Sequence, residues 1–104
     1  MADRKLELVP LYDWGMFTEP RPSVIAGPCS AETKEQVMET AKGLKELGIN
    51  VFRAGIWKPR THPGSFEGIG VEGLGWMQQV KKEYGLKIST EVASERHVYE
   101  CIKF

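Results

Sequence analysis

The stretch "INVFRAG", residues 49–55, is a mostly apolar run closed by a glycine, and it predicts a short buried strand. Successive side chains of a strand point to opposite faces of its sheet. One face therefore carries Val51, Arg53 and Gly55, and the other carries Phe52, Ala54 and Ile56. A charged Arg53 on such a strand is costly unless an anion meets it, so the strand points to a ligand as well as to a core.

Upstream of this strand the sequence contains another strand and a helix. Residues 23–26 form a short apolar run, and residues 32–47 carry apolar side chains at helical spacing, the last of them at position 47. Thr33 and Gln36 predict a capping box where this helix begins, and Gly48 is a typical residue at its end.

Downstream of the strand the alternation continues. A loop at 56–70 leads to a helix at 71–84, which Gly85 ends, and then to a strand at 86–90. Ser94 is a typical N-cap residue and predicts the start of a last helix. The predicted inner face of that helix consists of Val98, Cys101 and Ile102.

The predicted order is β-α-β-α-β-α, which is typical of parallel strands joined by right-handed crossovers. A parallel sheet needs helices on both faces or closure into a barrel, and three strands do not provide either. We therefore expect the chain to be the first part of a larger α/β protein. Prolines interrupt any helix before this region, so residues 1–22 are predicted to be an irregular arm.

Composition narrows the function classes. The 104 residues carry 14 basic and 14 acidic side chains and no net charge, which argues against a general nucleic-acid or anionic-membrane binder. No apolar stretch is long enough to span a membrane, and the charged N-terminus does not resemble a secretion signal. The two cysteines follow no zinc or redox spacing, so a reduced, cytoplasmic location is expected.

Four cationic or titratable side chains, Arg53, Lys58, Arg60 and His62, lie within ten positions at the carboxyl end of the predicted second strand. Ligands of α/β folds gather at this end of parallel strands. Pro59 biases Lys58 toward an extended conformation, so Lys58 and Arg60 point to about the same side. With the hydroxyl of Thr61, they suit a doubly anionic substrate or two separate phosphates. The alternative interpretation is a solvated loop with surface ion pairs.

Cys29, in "IAGPCS", follows the first strand at the same end of the sheet. A thiolate there can ligate a divalent metal or act as a nucleophile, whereas the alternative is a small buried thiol. Glu91 follows the third strand and can lie beside the same site or pair with Arg53 or a lysine. His97 is expected to be exposed on a surface helix. No other residues show metal-ligand spacing.

The motifs "AGPCS", "FRAGIWKPRTHPGSFEGIG" and "EYGLKISTE" resemble the 3-deoxy-D-arabino-heptulosonate 7-phosphate synthases, and most closely the short bacterial branch of the type I enzymes. The resemblance runs from about residue 23 to the C-terminus. "KPRT" separates this family from the related octulosonate 8-phosphate synthases, which have an "ANR"-type sequence there.

The resemblance implies a TIM (β/α)8 barrel, of which residues 23–104 would form about three β/α units. It also implies the aldol-type condensation of phosphoenolpyruvate with erythrose 4-phosphate, the first step of the shikimate pathway to aromatic amino acids. The full-length protein would be cytoplasmic and homo-oligomeric.

By position in the motifs, Cys29 is implied as a ligand of a divalent metal of the manganese, iron, cobalt or zinc class. Arg53 and Lys58 are implied at the phosphoenolpyruvate site, and Arg60 and Thr61 at the erythrose 4-phosphate site. Lys58 is also the candidate for proton transfer, because a lysine near other cations can have a lowered pKa.

The chain departs from the family in its extent. A barrel of this kind has about 250 residues, and the remaining metal ligands of the family, a His, a Glu and an Asp, have no counterpart here. We therefore expect the chain alone to bind metal weakly and to lack synthase activity. The alternatives are an octulosonate 8-phosphate or sialic-acid synthase of the same superfamily, or a non-catalytic phosphate-binding module.

Overall fold

The computed structural model describes residues 6–15, 23–58 and 68–104. Within these ranges the chain forms three strands that alternate with three α-helices, preceded by one short 3-10 helix. The elements are the 3-10 helix Leu11–Trp14, β1 Ile25–Ala26, α1 Lys34–Glu46, β2 Val51–Arg53, α2 Val71–Tyr84, β3 Lys87–Ser89 and α3 Glu95–Ile102. The predicted order is confirmed, and each strand is shorter than the sequence indicated.

The strands form one parallel sheet in the order β1-β2-β3, as predicted. Val51 pairs with Ile25 on one side and with Lys87 on the other. At the carboxyl end, Arg53 lies opposite Ser89. The central strand β2 therefore brings its last residue between the segments that follow β1 and β3.

The ends of the helices follow local capping rules. Gln36 N–H donates to Thr33 Oγ1 over 3.1 Å, and Gln36 Oε1 accepts from Thr33 N–H over 3.5 Å, which is the predicted capping box. Gly48 and Gly85 have φ of 82° and 66°, a conformation in which glycine avoids the strain of a Cβ atom. Leu47, the last residue of the predicted apolar spacing, is the C-cap of α1 and is 78% exposed.

One face of β2 supports the core. Its side chains lie in a buried cluster with residues of α1 and α2, and each fully buried large side chain there contributes about 1.5–3 kcal/mol. The cluster contains Phe52, Ala54 and Ile56 from β2 and its extension, Val37 and Ala41 from α1, Leu74, Met77 and Val80 from α2, and also Ala31 and Leu86. The predicted division of β2 into two faces is therefore confirmed on the helix side.

The last helix is attached differently. The structure gives α3 no buried residue, and Ile102 is 75% exposed. Of its predicted inner face, Cys101 alone packs against the core. The reason is that no element within residues 6–15, 23–58 and 68–104 covers the outer side of α3.

The predicted N-terminal arm is described only at residues 6–15. It contains the 3-10 helix, where Asp13 N–H donates to Pro10 O and Trp14 Nε1 donates to Val9 O. Leu6 and Leu8 are exposed. No helix of the described ranges is long and apolar enough to cross a membrane.

Candidate functional site

Three chain segments converge at the carboxyl end of the sheet. Cys29 lies three residues beyond β1, Arg53 ends β2, and Glu91 lies two residues beyond β3. Lys58, five residues beyond β2, contacts both Cys29 and Glu91. We call Cys29, Arg53, Lys58 and Glu91 the polar cluster.

Lys58 is the centre of the polar cluster. Its Nζ donates to Glu91 Oε1 over 2.5 Å, to Cys29 O over 3.0 Å and to Cys29 Sγ over 3.4 Å. The lysine side chain is only 11% exposed. Its three donors are therefore directed at named acceptors, as in a built site, and the solvated-loop interpretation does not describe Lys58.

Glu91 connects the two cations. Its Oε1 accepts from Lys58, and its Oε2 lies 3.7 Å from Arg53 Nη2. The sequence left open whether Glu91 pairs with Arg53 or with a lysine, and the structure has it between both. One carboxylate thus contacts both cationic side chains.

Two glycines create the space for this arrangement. A Cβ on Gly55 would lie 2.1 Å from Cys29 O, 2.8 Å from Glu91 Oε1 and 3.0 Å from Lys58 Nζ. A Cβ on Gly27 would lie 1.7 Å from Arg53 O, and the φ of Gly27 is 154°. The first two strand ends can therefore approach each other only because both positions lack a side chain.

Backbone hydrogen bonds tie the same segments together. Ala31 N–H donates to Gly55 O over 2.8 Å, and Ala54 N–H donates to Ser89 O over 3.1 Å. Thr90 Oγ1 donates to Ala54 O over 2.8 Å. These hydrogen bonds pair backbone groups next to the polar cluster and hold the three segments that carry its side chains together.

The pKa values within the polar cluster depend on one another. The hydrogen bond from Lys58 lowers the pKa of Glu91, and the same bond raises the pKa of Lys58. The hydrogen bonds from Lys58 and Arg53 lower the pKa of the Cys29 thiol. The sequence-based expectation of a lowered Lys58 pKa is therefore wrong, because the hydrogen bond to the Glu91 carboxylate outweighs the lowering effect of burial.

Cys29 suits a metal as a donor, because its thiol is exposed and its pKa is lowered. A metal site also needs about three further ligands. Within the described ranges, no group of three or more His, Cys, Asp or Glu residues could hold a metal ion. The described residues therefore offer one fitting ligand but not a complete site.

Arg60 and Thr61, predicted to bind a second substrate, and His62 lie outside the described residues. The structure brings Cys29, Arg53 and Lys58 together with Glu91, and it leaves the roles of Arg60 and Thr61 as predictions.

One contact was missed from the sequence. The rings of Trp57 and His97 are stacked, with centroids 4.0 Å apart and planes 6° apart. His97 is half-buried, not exposed as expected. No periodicity connects two residues from separate elements, so the sequence contains no signal that would have found this pair.

Comparisons with known proteins agree with these observations. The sequence model described as "DAHP synthetase I family" matches residues 17–104. Phospho-2-dehydro-3-deoxyheptonate aldolase of Thermotoga maritima is 48% identical over 81 residues, which are 78% of this chain and 22% of that protein. A 2-dehydro-3-deoxyphosphooctonate aldolase of Vesicomyosocius okutanii is 40% identical over 84 residues, which are 74% of this chain and 30% of that protein.

A solved structure gives the same result. The crystal structure of phospho-2-dehydro-3-deoxyheptonate aldolase (DAHP synthase) from Thermotoga maritima superposes with a TM-score of 0.70 at 41% identity, over 77% of this chain and 22% of that chain. The predicted fold class is confirmed: the chain is α/β and forms a part of a (β/α)8 barrel. It spans less than a third of the length of these relatives.

Proposed function

The chain belongs to the DAHP synthetase I family, and from this premise we propose that its polar cluster is the phosphoenolpyruvate-binding part of a 3-deoxy-D-arabino-heptulosonate 7-phosphate synthase. The whole protein would condense phosphoenolpyruvate with erythrose 4-phosphate, releasing phosphate, as the first step of aromatic amino acid biosynthesis. Residues 1–22 would be an arm, and residues 23–104 the first units of the barrel.

The observation that supports this proposal best is the position of Glu91 between Arg53 and Lys58. A carboxylate is one of the two anionic groups of phosphoenolpyruvate, and the phosphate is the other. Arg53 offers a planar guanidinium fork and Lys58 a compact ammonium group. Each of these can bind either a carboxylate or a phosphate. Both cations are held at the carboxyl end of a parallel sheet, where substrates of such folds bind.

Lys58 is also the proposed proton-transfer residue. Because Nζ is paired with Glu91, Lys58 starts in its protonated form, so it would donate a proton and not accept one. Fixed positive charge from Lys58 and Arg53 would also stabilise negative charge that develops on phosphoenolpyruvate during the attack on the sugar aldehyde.

Cys29 is proposed as one ligand of a divalent metal of the manganese, iron, cobalt or zinc class. When bound, such an ion supplies Lewis-acid polarisation of the aldehyde of erythrose 4-phosphate. The other ligands would come from outside the described residues. Arg60 and Thr61 are proposed to hold erythrose 4-phosphate, on the family resemblance of "KPRT" alone.

The experiment is calorimetric titration of the 104-residue chain with phosphoenolpyruvate, without metal. We expect measurable binding, which Lys58→Met weakens by at least tenfold because a charged hydrogen-bonding partner is lost, roughly 1.5–3 kcal/mol. Lys87→Met is the matched control, since Lys87 is exposed on β3, and it should leave the affinity unchanged. Equal affinities of the two variants would contradict the proposal.

A second candidate, an octulosonate 8-phosphate synthase, is favoured by the Vesicomyosocius relative at 40% identity. The two candidates differ in the second substrate. A full-length protein that condenses phosphoenolpyruvate with arabinose 5-phosphate in preference to erythrose 4-phosphate would support the second candidate. Phosphoenolpyruvate binding without any condensation activity of the full-length protein would support a non-catalytic module.

A further inference from the structure

We propose that His97 is a positioning residue. It stacks on Trp57, the residue immediately before Lys58, and thereby holds Lys58 in the polar cluster. The proposal deepens the proposed function, because it concerns the same lysine. The rings of Trp57 and His97 are stacked, with centroids 4.0 Å apart and planes only 6° apart. Such a parallel contact fixes the plane of both rings.

The imidazole is itself fixed by α3. Ala93 N–H donates to His97 Nδ1 over 3.0 Å, so Nδ1 accepts and the ring proton is on Nε2. The backbone N–H of His97 donates to the Ser94 cap over 3.2 Å. His97 thus presents a flat surface of fixed orientation from the first turn of a capped helix.

The stack and the polar cluster attach the same two short segments to each other. Trp57 contacts His97 in the first turn of α3, and Lys58 contacts Glu91 between β3 and α3, so adjacent residues of one segment are held by two nearby parts of the chain. The backbone just before them is anchored separately, since Gly70 N–H donates to Ile56 O over 2.8 Å. Residues 57 and 58 are therefore held by the stack, by the packing of Trp57 against the core cluster and by the contacts of Lys58 itself, and loss of the stack removes the contact that fixes the plane of the Trp57 ring.

A purely structural role is the competing explanation, because Trp57 also packs against the core cluster. A structural role affects all parts of the fold alike, whereas a positioning role affects Lys58 more than other lysines. The accessibility of individual amines can separate the two.

The test is limited acetylation of the 104-residue chain by an N-hydroxysuccinimide ester, with the extent at each lysine read by mass spectrometry. The ratio of Lys58 to the exposed Lys87 is the measured quantity, and Glu91→Gln is the positive control because it removes the carboxylate partner. For His97→Ala we expect the ratio to rise about two- to tenfold, the factor that corresponds to loss of one aromatic contact.

Two further variants keep the test decisive. His97→Phe retains a ring that can stack and should restore the wild-type ratio, while His97→Leu fills the space without a stacking plane and should not. Tyr99→Ala, on the exposed side of α3, should leave the ratio unchanged. Circular dichroism identifies any variant that does not fold.

A ratio that rises in Glu91→Gln but not in His97→Ala or His97→Leu would overturn the proposal. The affinity for phosphoenolpyruvate provides the link to function, and it should fall in His97→Leu and recover in His97→Phe. Failure of the wild-type chain to bind phosphoenolpyruvate would count against the proposed function only, since the acetylation ratios would still decide whether the stack positions Lys58.

Discussion

The two cysteines lie in opposite kinds of surroundings. Cys29 is exposed in the polar cluster, and its pKa is lowered by Lys58 and Arg53. Cys101 is half-buried and lines an apolar groove of about 530 Å³ between α2, β3 and α3, where burial raises its pKa. The same side chain is therefore more readily deprotonated at the strand ends and is a packing residue beside the helices. The pKa of a cysteine in this fold therefore depends on whether its thiol lies beside the cations at the carboxyl end of the sheet or among the apolar side chains of the helices.

The largest expected effect comes from adding one methyl group beside the polar cluster. Gly55→Ala places a Cβ against Cys29 O and the polar cluster, so it should lower the free energy of unfolding by about 1–3 kcal/mol through overpacking and also abolish phosphoenolpyruvate binding. Urea denaturation and calorimetry measure the two effects.

Gly75→Ala is the matched control for that variant. Gly75 lies in α2, and an added Cβ would meet nothing within 4 Å. Since glycine weakens a helix, this variant should be more stable by about 0.5–1 kcal/mol. If Gly55→Ala were as stable as the wild type, the polar cluster would not be as crowded as we describe.

An intermediate effect is expected for the reactivity of the two thiols. At pH 7, iodoacetamide should modify Cys29 about ten times faster than Cys101, because the thiolate is the reactive form. The Cys29 rate should reach half of its maximum at a lower pH than an ordinary thiol, and the Cys101 rate at a higher pH. Peptide mass spectrometry gives both rates.

Substitution of Lys58 removes the main cause of the lowered Cys29 pKa. Lys58→Met should move the pH profile of Cys29 upward and leave that of Cys101 unchanged, since only Cys29 contacts Lys58. Coincident profiles in the unsubstituted chain would show that the two surroundings do not differ electrostatically.

The smallest effect concerns stability at acid pH. The folded-state pKa of Glu91 is lowered, so its contribution is fully present above the unfolded-state value of about 4.3 and is lost as the pH falls through the lower folded-state value. Because Glu91 is 42% exposed, solvent screening limits this contribution to less than about 1 kcal/mol.

Urea midpoints of the wild type and of Glu91→Gln, measured between pH 6 and pH 3 at roughly half-unit steps, should therefore differ at the upper end of the range and converge at the lower end. Glu100→Gln is the control, since its partner is the exposed Lys103 of the same helix end. A difference that grows on acidification would contradict the assigned sign.

Local rules account for the parts of the fold that the sequence predicted. The capping box of Thr33 and Gln36, the glycine ends of α1 and α2, and the alternating faces of β2 each depend on residues a few positions apart. The convergence of Cys29, Arg53 and Lys58 followed from parallel topology, because the carboxyl ends of such strands meet.

The remaining features depend on contacts between distant residues. Glu91 is 33 positions from Lys58, and its proximity reverses the expected direction of the lysine pKa. His97 stacks on a residue 40 positions earlier, which no helical period encodes. Ile102 matches the apolar period of α3 but has nothing to pack against in the described part of the chain.

The register of β2 links correct packing of the core to correct assembly of the polar cluster. Phe52 lies opposite Ile88 and Arg53 opposite Ser89, and a slip by one residue would exchange the two faces of the strand. Arg53 would then enter the apolar layer and Phe52 the polar cluster, so a single slip would disrupt both the core and the polar cluster. A chain that has packed Phe52 into its core has thereby also placed Arg53 in the polar cluster.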